Sequence, residues 1–266
     1  GKVKITIHPI MDKLYSDDAW VESVQAAVAQ NHGETVVQVG HNKDDTGKHL
    51  KMFPQWDDYD SEVMYRHNGG TYNASDFRKE WYEMERFPES WSDCIPKSVI
   101  NIIKKLDNTD MFEEYNYLKE YPNKWGTGPF VTVDAVVVTL GHILMIKRGA
   151  NPGKGNFALP GGFLEPNEAI IDGVFRELKE ETKIKVPPKT LRKSIEKSHV
   201  FDHPNRSLRG RIITFAYYVK LENENGLPRI KAGDDAAEAM WVPLSELDSL
   251  TDKIHEDHYS IIRYFV

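Results

Sequence analysis

The stretch PGGFLEPNEAIIDGVFRELKEETKIKV, residues Pro160–Val186, joins a glycine turn to a segment rich in acidic residues. Its apolar residues recur at intervals of three and four, which predicts an amphipathic helix over Asn167–Glu181. Glu177 lies three residues before Glu180 and four before Glu181, away from the apolar stripe. The spacing therefore predicts three carboxylates close together on one face, near the end of the helix.

This acidic cluster has two interpretations. A helix end rich in glutamate and lysine is commonly a solvated face. The helix macrodipole, however, disfavours negative charge in the last turns by roughly 0.3–1 kcal/mol per group, and the three acids also repel one another. A divalent cation would relieve the repulsion. Magnesium suits such a site because it accepts a few carboxylates, keeps several waters and takes further oxygens from a substrate phosphate.

The turn before the helix adds main-chain oxygens to these carboxylates. Gly161 and Gly162 allow the backbone to approach a ligand closely, so that a carbonyl here would complete the oxygen shell of a metal. By itself, Pro-Gly-Gly is more often only a turn. Arg176 precedes Glu180 by four residues, a spacing that places the two side chains within reach of each other.

Taken together, these residues form one ordered pattern: Gly162, five residues, Glu168, seven residues, Arg176-Glu177-Leu178, one residue, then Glu180 and Glu181. The pattern resembles the Nudix hydrolase signature at every charged position. The resemblance implies hydrolysis of a nucleoside diphosphate linked to another moiety, with Mg²⁺ or Mn²⁺ as the cofactor.

The resemblance also implies a role for each position. Glu177 and Glu181 would be the principal metal ligands, and Glu180 a further ligand or the general base. The remaining signature residues are the helix-orienting pair, Arg176 and Glu168, and the backbone carbonyl ligand, Gly161. One position departs from the family, since the signature usually has glycine where this chain has Lys183. That glycine ends the helix, so the departure affects the C-terminal cap rather than the metal site.

Candidate phosphate ligands come from the stretch FDHPNRSLRGRIITFAYYVKL, residues 201–221. Arg209 and Arg211 are two apart at the start of a predicted strand and so are expected to share a face, with Arg206 in the turn before them. Arg148 ends an earlier strand and would also face phosphate. Guanidinium groups bind phosphate oxygens bidentately. The alternative is that basic residues at a strand edge discourage aggregation.

This stretch and GDDAAEAMWVPLSEL, residues 233–247, resemble the Nudix branch that cleaves ADP-ribose into AMP and ribose 5-phosphate. The resemblance implies ADP-ribose as the small-molecule substrate. In some members of that branch the catalytic acid lies in a loop far from the signature helix. The local candidates are Asp234, Asp235 and Glu238, of which Asp235 is included in the predicted substrate site. Domains of this branch often exchange elements in dimers, so the resemblance is consistent with a homodimer.

Composition excludes several classes of protein. The formal net charge of −7 argues against binding to a nucleic-acid backbone, which usually requires a basic face. No segment has about 18 uninterrupted apolar residues, so no membrane helix is predicted. Cys94 is the only cysteine, which rules out an intrachain disulfide and fits the reducing cytoplasm.

The 266 residues are enough for two modest domains. The first half alternates strand signals with helix signals, typical of an α/β layer. YPNKWGTGP, residues 121–129, indicates a domain edge, and mostly strand-like runs follow it. The predicted strands are Lys2–Ile7, Thr35–Val39, Phe130–Thr139, His142–Lys147, Leu191–Phe201, Arg211–Leu221 and Ala239–Val242. The predicted helices are Ser16–Gln30, Ser61–His67, Ser75–Phe87, Lys97–Leu106, Met111–Tyr121, Asn167–Glu181 and His255–Phe265.

The first half resembles the later part of a nicotinamide mononucleotide adenylyltransferase, in the form that is fused to a Nudix domain. The resemblance rests on VGHNKDDTGKHLKMFPQW, residues 39–56, and YNASDFRKEW, residues 72–81. Asn73, Ser75 and Arg78 resemble that family's ATP-phosphate motif, and a helix N-terminus with an arginine is an anion site. Ser75 as an ordinary helix N-cap explains the same residues.

The fold class that follows is α/β and α+β: a partial nucleotidyltransferase-like Rossmann-type domain over residues 1–124, then a Nudix α/β/α sandwich over residues 125–266. The adenylyltransferase motif Gly-x-Phe-x-Pro-x-His-x-Gly-His does not occur in the sequence. We therefore expect a chain that lacks the opening segment of a bifunctional protein and does not make NAD from NMN and ATP. Two further hypotheses are activity in both halves of the chain and a non-catalytic sensor of ADP-ribose.

Overall fold

The computed structural model of the chain describes residues 7–10, 14–29, 35–40, 51–60, 74–222, 226–233 and 236–266. The chain divides into two compact units, Gly1–Phe112 and Glu113–Val266. The predicted domain edge at residues 124 and 125 lies at the C-terminal end of a helix, α4 (Met111–Trp125), and the division of the units falls in the first turn of that helix.

The first unit combines helices with a small parallel sheet. Its elements are α1 (Asp17–Ala29), β1 (Val37–Gly40), β2 (Asp57–Asp60), α2 (Ala74–Met84), a 3-10 helix (Glu89–Trp91) and α3 (Lys97–Leu106). Strands β1 and β2 pair in parallel, as an α/β layer requires. The Ser16 hydroxyl accepts a hydrogen bond of 3.2 Å from the Ala19 N–H, so Ser16 caps the N-terminus of α1. Phe87, Trp91 and Ile100 form a buried cluster.

The second unit contains a seven-stranded mixed sheet. Its strands are β3 (Phe130–Thr139), β4 (His142–Arg148), β5 (Phe157–Ala158), β6 (Gly161–Phe163), β7 (Ile195–Phe201), β8 (Ile212–Lys220) and β9 (Ala236–Pro243). The main path is β5-β4-β3-β8-β7, with β6 beside β3 and β9 beside β4. Strands β3 and β8 run parallel along their whole length, and every other pairing is antiparallel.

Helices cover both faces of this sheet, because the side chains of β3 are apolar on both sides. Val133, Ala135 and Val137 pack in one core with α5 (Ile170–Thr182). Val136 and Val138 face the other way and pack in a second core with α7 (His258–Phe265). The period of two in a strand produces this division. The arrangement confirms the predicted α/β/α sandwich.

Several predicted boundaries were wrong; the helix predicted from Asn167 begins at Ile170, for example, and the strand predicted from Ala239 begins at Ala236. Helix α4 continues through Pro122 to Trp125 instead of ending at Tyr121. Residues Leu191–Lys193 close a short helix, α6 (Pro188–Lys193), rather than opening a strand; proline at the first position of a helix is favourable because its missing N–H is not needed there. The last helix begins at His258 instead of His255, since Glu256 has a positive φ of 45°.

Some predictions concern residues outside the described ranges. These include the strand Lys2–Ile7 apart from its last residue, the helix Ser61–His67, and the site residues Asn73, Asp234 and Asp235. Over the residues that the structure does describe, no helix is both long and apolar enough to span a membrane.

Candidate active site

Helix α5 carries the acidic cluster, and its apolar stripe fixes the direction in which the acids project. Val174, Phe175 and Leu178 are buried against the sheet. The helix ends at Lys183, which adopts the left-handed conformation (φ 42°, ψ 32°) and donates its N–H to the Lys179 carbonyl at 2.9 Å. Lys183 thus takes the geometry that glycine provides more easily at a helix end.

Arg176 connects the helix to the loop before it. Its Nε and Nη2 donate to both carboxylate oxygens of Glu168, at 3.0 and 2.6 Å, and Nη2 also donates to the Phe163 carbonyl at 3.0 Å. Its Nη1 donates to Glu177 at 2.7 Å and to Glu180 at 3.1 Å. The hydrogen bonds to Glu168 raise the pKa of Arg176 and lower the pKa of Glu168, so both stay charged.

Glu181 is the most buried of the three clustered acids, with 8% of its surface exposed. Its Oε2 accepts a hydrogen bond of 2.9 Å from the Gly161 N–H. Burial raises the pKa of Glu181 to about 8, and burial also raises the pKa of Glu177. Two carboxyls that lose solvent in this way favour the protonated form unless a positive charge comes close.

The two glycines of the turn are needed for space. A Cβ on Gly162 would lie 2.5 Å from Glu177 Oε1, and a Cβ on Gly161 would collide with the Val133 carbonyl of the neighbouring strand. Strand β6 therefore passes directly between β3 and the acids of α5. No other residue type would allow this approach without displacing the carboxylates.

These residues border a cavity of about 680 Å³. Its lining includes three acidic residues, Asp134, Glu177 and Glu181, and a group of aromatic residues. The aromatic residues are Tyr117, Tyr121, Trp125, Phe130 and Phe163; the remaining polar lining is Thr132, Arg148, Asn151, Arg206, Arg209, His255, Glu256 and His258. Glu180 is not among the lining residues; its side chain is 43% exposed and is bonded to Arg176.

A model of the NUDIX domain matches residues 128–265, which hold this helix and most of the cavity. The chain belongs to the NUDIX family. The curated ADP-ribose pyrophosphatase of Methanocaldococcus jannaschii is 38% identical over 138 residues, which are 52% of this chain and 73% of that protein.

Two solved structures of a bifunctional NMN adenylyltransferase/ADP-ribose pyrophosphatase from Francisella tularensis are similar to the chain. The first has 33% identity and a TM-score of 0.83 over 97% of this chain and 77% of that one. The second, a complex with AMP and a manganese ion, has 32% identity and a TM-score of 0.82 over 97% and 76%. Both matches extend through the first unit, in agreement with its predicted nucleotidyltransferase-like character.

The donor set of this NUDIX site suits a hard divalent cation. Glu177 and Glu181 supply buried carboxylate oxygens beside the backbone of Gly161, and their raised pKa values show that a nearby positive charge would stabilise them. Within the described part of the chain, no three carboxylate, histidine or cysteine side chains already surround one point. Here Arg176 supplies the positive charge beside Glu177 and Glu180.

The predicted arginines of the NUDIX domain occupy different surroundings. Arg148 lines the cavity and its Nε donates to the Pro152 carbonyl at 2.7 Å; burial lowers its pKa. Arg209 also lines the cavity, bonded to Ser207 and to Glu256, with its guanidinium 5.8 Å from the Phe163 ring centre.

Arg206 and Arg211 are less available to a ligand. Arg206 lines the cavity but is buried and bonded through two nitrogens to Asp257, at 2.9 and 2.8 Å. Arg211 pairs with Asp202 and does not line the cavity. The expected common face of Arg209 and Arg211 was wrong, because β8 begins only at Ile212 and Gly210 between them has a φ of 128°.

Sequence reasoning missed one segment of the site, residues His255–His258. Three of its side chains line the cavity, those of His255, Glu256 and His258. His258 Nδ1 accepts a hydrogen bond of 2.9 Å from the Leu159 N–H, directly before the glycine turn. The sequence signal that could have identified this segment was the run HEDH, four consecutive titratable residues. These residues were assigned instead to the start of the predicted final helix.

The other candidates are not among the residues that line this cavity. Glu238 is 57% exposed and pairs with Lys147 at 3.2 Å. In the first unit, Arg78 Nη2 donates to the Ser75 hydroxyl at 3.3 Å, and both residues are exposed. Ser75 is the second residue of α2 rather than its N-cap.

Proposed function

We propose that the chain is a divalent-cation-dependent hydrolase that cleaves ADP-ribose to AMP and ribose 5-phosphate. Water adds across one phosphoanhydride bond, so that each product keeps one phosphate. The observation that carries the proposal is the position of Glu177 and Glu181 beside Gly161, on the wall of a cavity that also contains Arg148 and Arg209. Similarity to an ADP-ribose pyrophosphatase at 38% identity supports the substrate.

Glu177 and Glu181 would hold Mg²⁺ or Mn²⁺, with Gly161 beside them; a manganese ion in the similar Francisella structure supports this choice. The bound ion would neutralise diphosphate charge and lower the pKa of a water molecule. Arg148 and Arg209 supply fixed positive charge on another part of the wall, suited to orienting the diphosphate. Arg176 holds Glu177 in place, and its bond to Glu168 fixes the loop before the helix.

The test is a survey of products from a panel of nucleoside diphosphate derivatives, with Mg²⁺, with Mn²⁺ and with excess chelator. We expect AMP and ribose 5-phosphate from ADP-ribose with either ion, and neither product with the chelator. Glu181→Gln should lower kcat by about 100-fold or more, because a buried carboxylate beside the reaction centre is lost. Turnover of another panel member without release of AMP from ADP-ribose would overturn the substrate.

Asp172→Asn is the matched control for Glu181→Gln. Asp172 is an exposed carboxylate on the same helix, where it pairs with Arg192, and it does not line the cavity. Full activity in Glu181→Gln would overturn the metal-site assignment, whereas equal loss in both variants would indicate damage to the helix.

We also propose where the enzyme acts, how it assembles and which part of the chain carries the activity. A single cysteine and the net charge of −7 support a cytoplasmic protein that does not bind nucleic acid. A homodimer is the assembly that we expect from the family resemblance. Residues 125–266 are proposed to carry this activity, with Asn73, Ser75 and Arg78 as a separate nucleotide site in the adenylyltransferase-like first unit.

A further inference from the structure

His255 has a buried nitrogen without a hydrogen-bond partner. The residue is 4% exposed, its ring lines the cavity, and its Nε2 makes no hydrogen bond to any residue that the structure describes. The rest of the residue is held firmly: its backbone N–H donates to the Phe157 carbonyl at 2.8 Å, and its ring lies so close to Gly153 that a Cβ there would collide with Nδ1. A buried polar atom of this kind is costly unless something bonds to it.

The surroundings keep this imidazole neutral. Burial, then the neighbouring His258, Arg148, Arg209 and Arg206, lower the pKa of His255 far below its usual range. Glu256 adds a nearby negative charge, with Oε2 3.4 Å from Nε2. A neutral imidazole can present an N–H donor at Nε2.

We infer that His255 Nε2 and Glu256 Oε2 form a subsite for a ribose hydroxyl of the substrate. A hydroxyl that lies beside this pair, whose atoms are 3.4 Å apart, can accept a hydrogen bond from the imidazole and donate one to the carboxylate. A phosphate oxygen can only accept, and the Glu256 carboxylate would repel it. The inference rests on the proposed function, whose substrate contains two riboses, one in the adenosine half and one at the far end.

Backbone strain at Glu256 fits the same assignment. Glu256 has a φ of 45°, which is unfavourable for a residue other than glycine, and such residues cluster at ligand sites. Its two carboxylate oxygens are held by the Ser207 hydroxyl at 2.6 Å and by Arg209 at 3.2 Å. The carboxylate is therefore oriented before any substrate arrives, which limits the entropy lost on binding.

The test is calorimetric titration of ADP-ribose into the full chain, with excess chelator to prevent turnover. His255→Phe keeps a flat ring of similar size but has no Nε2, and we expect it to weaken ADP-ribose binding about tenfold, the loss typical of one buried hydrogen bond. His255→Gln keeps an amide near the position of Nε2, and we expect binding close to that of the wild type. Thermal unfolding of both variants checks that the fold is intact.

Titrations with ADP and with ribose 5-phosphate distinguish the two riboses. If His255→Phe weakens ADP as much as ADP-ribose, the subsite holds the adenosine ribose; if it weakens ribose 5-phosphate and leaves ADP unchanged, the subsite holds the terminal ribose. Equal binding of ADP-ribose by all three proteins would overturn the subsite alone and leave Nε2 bonded to water. ADP-ribose that fails to bind the wild type in the chelator and is also not cleaved with Mg²⁺ or Mn²⁺ would overturn the proposed function as well.

Discussion

Arg206 and Asp257 form a bidentate ion pair in which both side chains are almost completely buried. Removing one partner leaves the other charge buried and uncompensated, which is far more costly than losing a surface pair. We expect Arg206→Met to lower the free energy of unfolding of the second unit by about 3–5 kcal/mol. Urea unfolding measures this value.

Arg211→Met is the control, because Arg211 and Asp202 form an exposed pair. Its cost should stay below about 1 kcal/mol. If Arg206→Met instead unfolds like the wild type and only binds ADP-ribose more weakly, Arg206 is a substrate ligand, as its sequence context suggested.

Residue type and local spacing predict neighbours within a helix but not partners across the fold. Arg176 and Glu180 were expected to meet because helical geometry brings residues four apart together, and they do. Arg206 carries the same guanidinium, yet its carboxylate partner is 51 residues away in the chain. Carboxylate and phosphate suit arginine equally well, so only the tertiary packing that brings the turn before β8 next to the residue before α7 selects between them.

At the scale of a whole element, helix α5 ends at a residue whose backbone conformation is strained. Lys183 has a φ of 42°, where glycine is more stable than residues with a Cβ. We expect Lys183→Gly to raise the free energy of unfolding by about 1 kcal/mol. Lys179→Gly is the matched control: it lies inside the same helix, where glycine costs about 1 kcal/mol. Urea unfolding of both variants measures the difference, and destabilisation by Lys183→Gly would show that its side-chain contacts outweigh the strain.

Elements with a strong apolar periodicity were predictable, whereas the ends of elements that depend on a single residue were not. The bounds of α3 and β3 agree with prediction to the residue, because an uninterrupted apolar pattern leaves few alternatives. Pro122 was expected to end α4, yet the helix continues one turn beyond it. Proline disfavours a helix interior because it lacks the N–H for one helical hydrogen bond and clashes with the preceding turn, and packing of an aromatic helix face beside the cavity can outweigh that cost.

At the scale of the whole molecule, the cavity is assembled from parts of the chain that are far apart in sequence. Tyr117 and Trp125 come from α4, before the residues that match the NUDIX model, whereas His258 comes from the last helix. The signature helix was predictable because its three clustered acids lie within five consecutive positions, residues 177–181. The aromatic lining and the run His255–His258 were not predictable. Aromatic residues on α4 and these four residues show no spacing that distinguishes the lining of a ligand cavity from an ordinary core.

Stability of the second unit should depend on pH through His258. This residue is buried, and burial lowers its pKa below the value of about 6.5 that it has when unfolded. Protons then bind the unfolded chain preferentially, so the stability due to the neutral imidazole is complete above pH 6.5 and is lost below it, by up to about 1.4 kcal/mol per pH unit. His258→Asn retains an acceptor for the Leu159 N–H but does not titrate. Urea unfolding at pH 7.5, 6.0 and 5.0 should therefore show the deficit of the variant relative to the wild type shrinking towards pH 5, by up to about 2 kcal/mol. Titrating groups that do not interact with His258 are present in both proteins and cancel in this difference. A deficit that is the same at all three pH values would mean that His258 binds its proton equally well in the folded and unfolded chain.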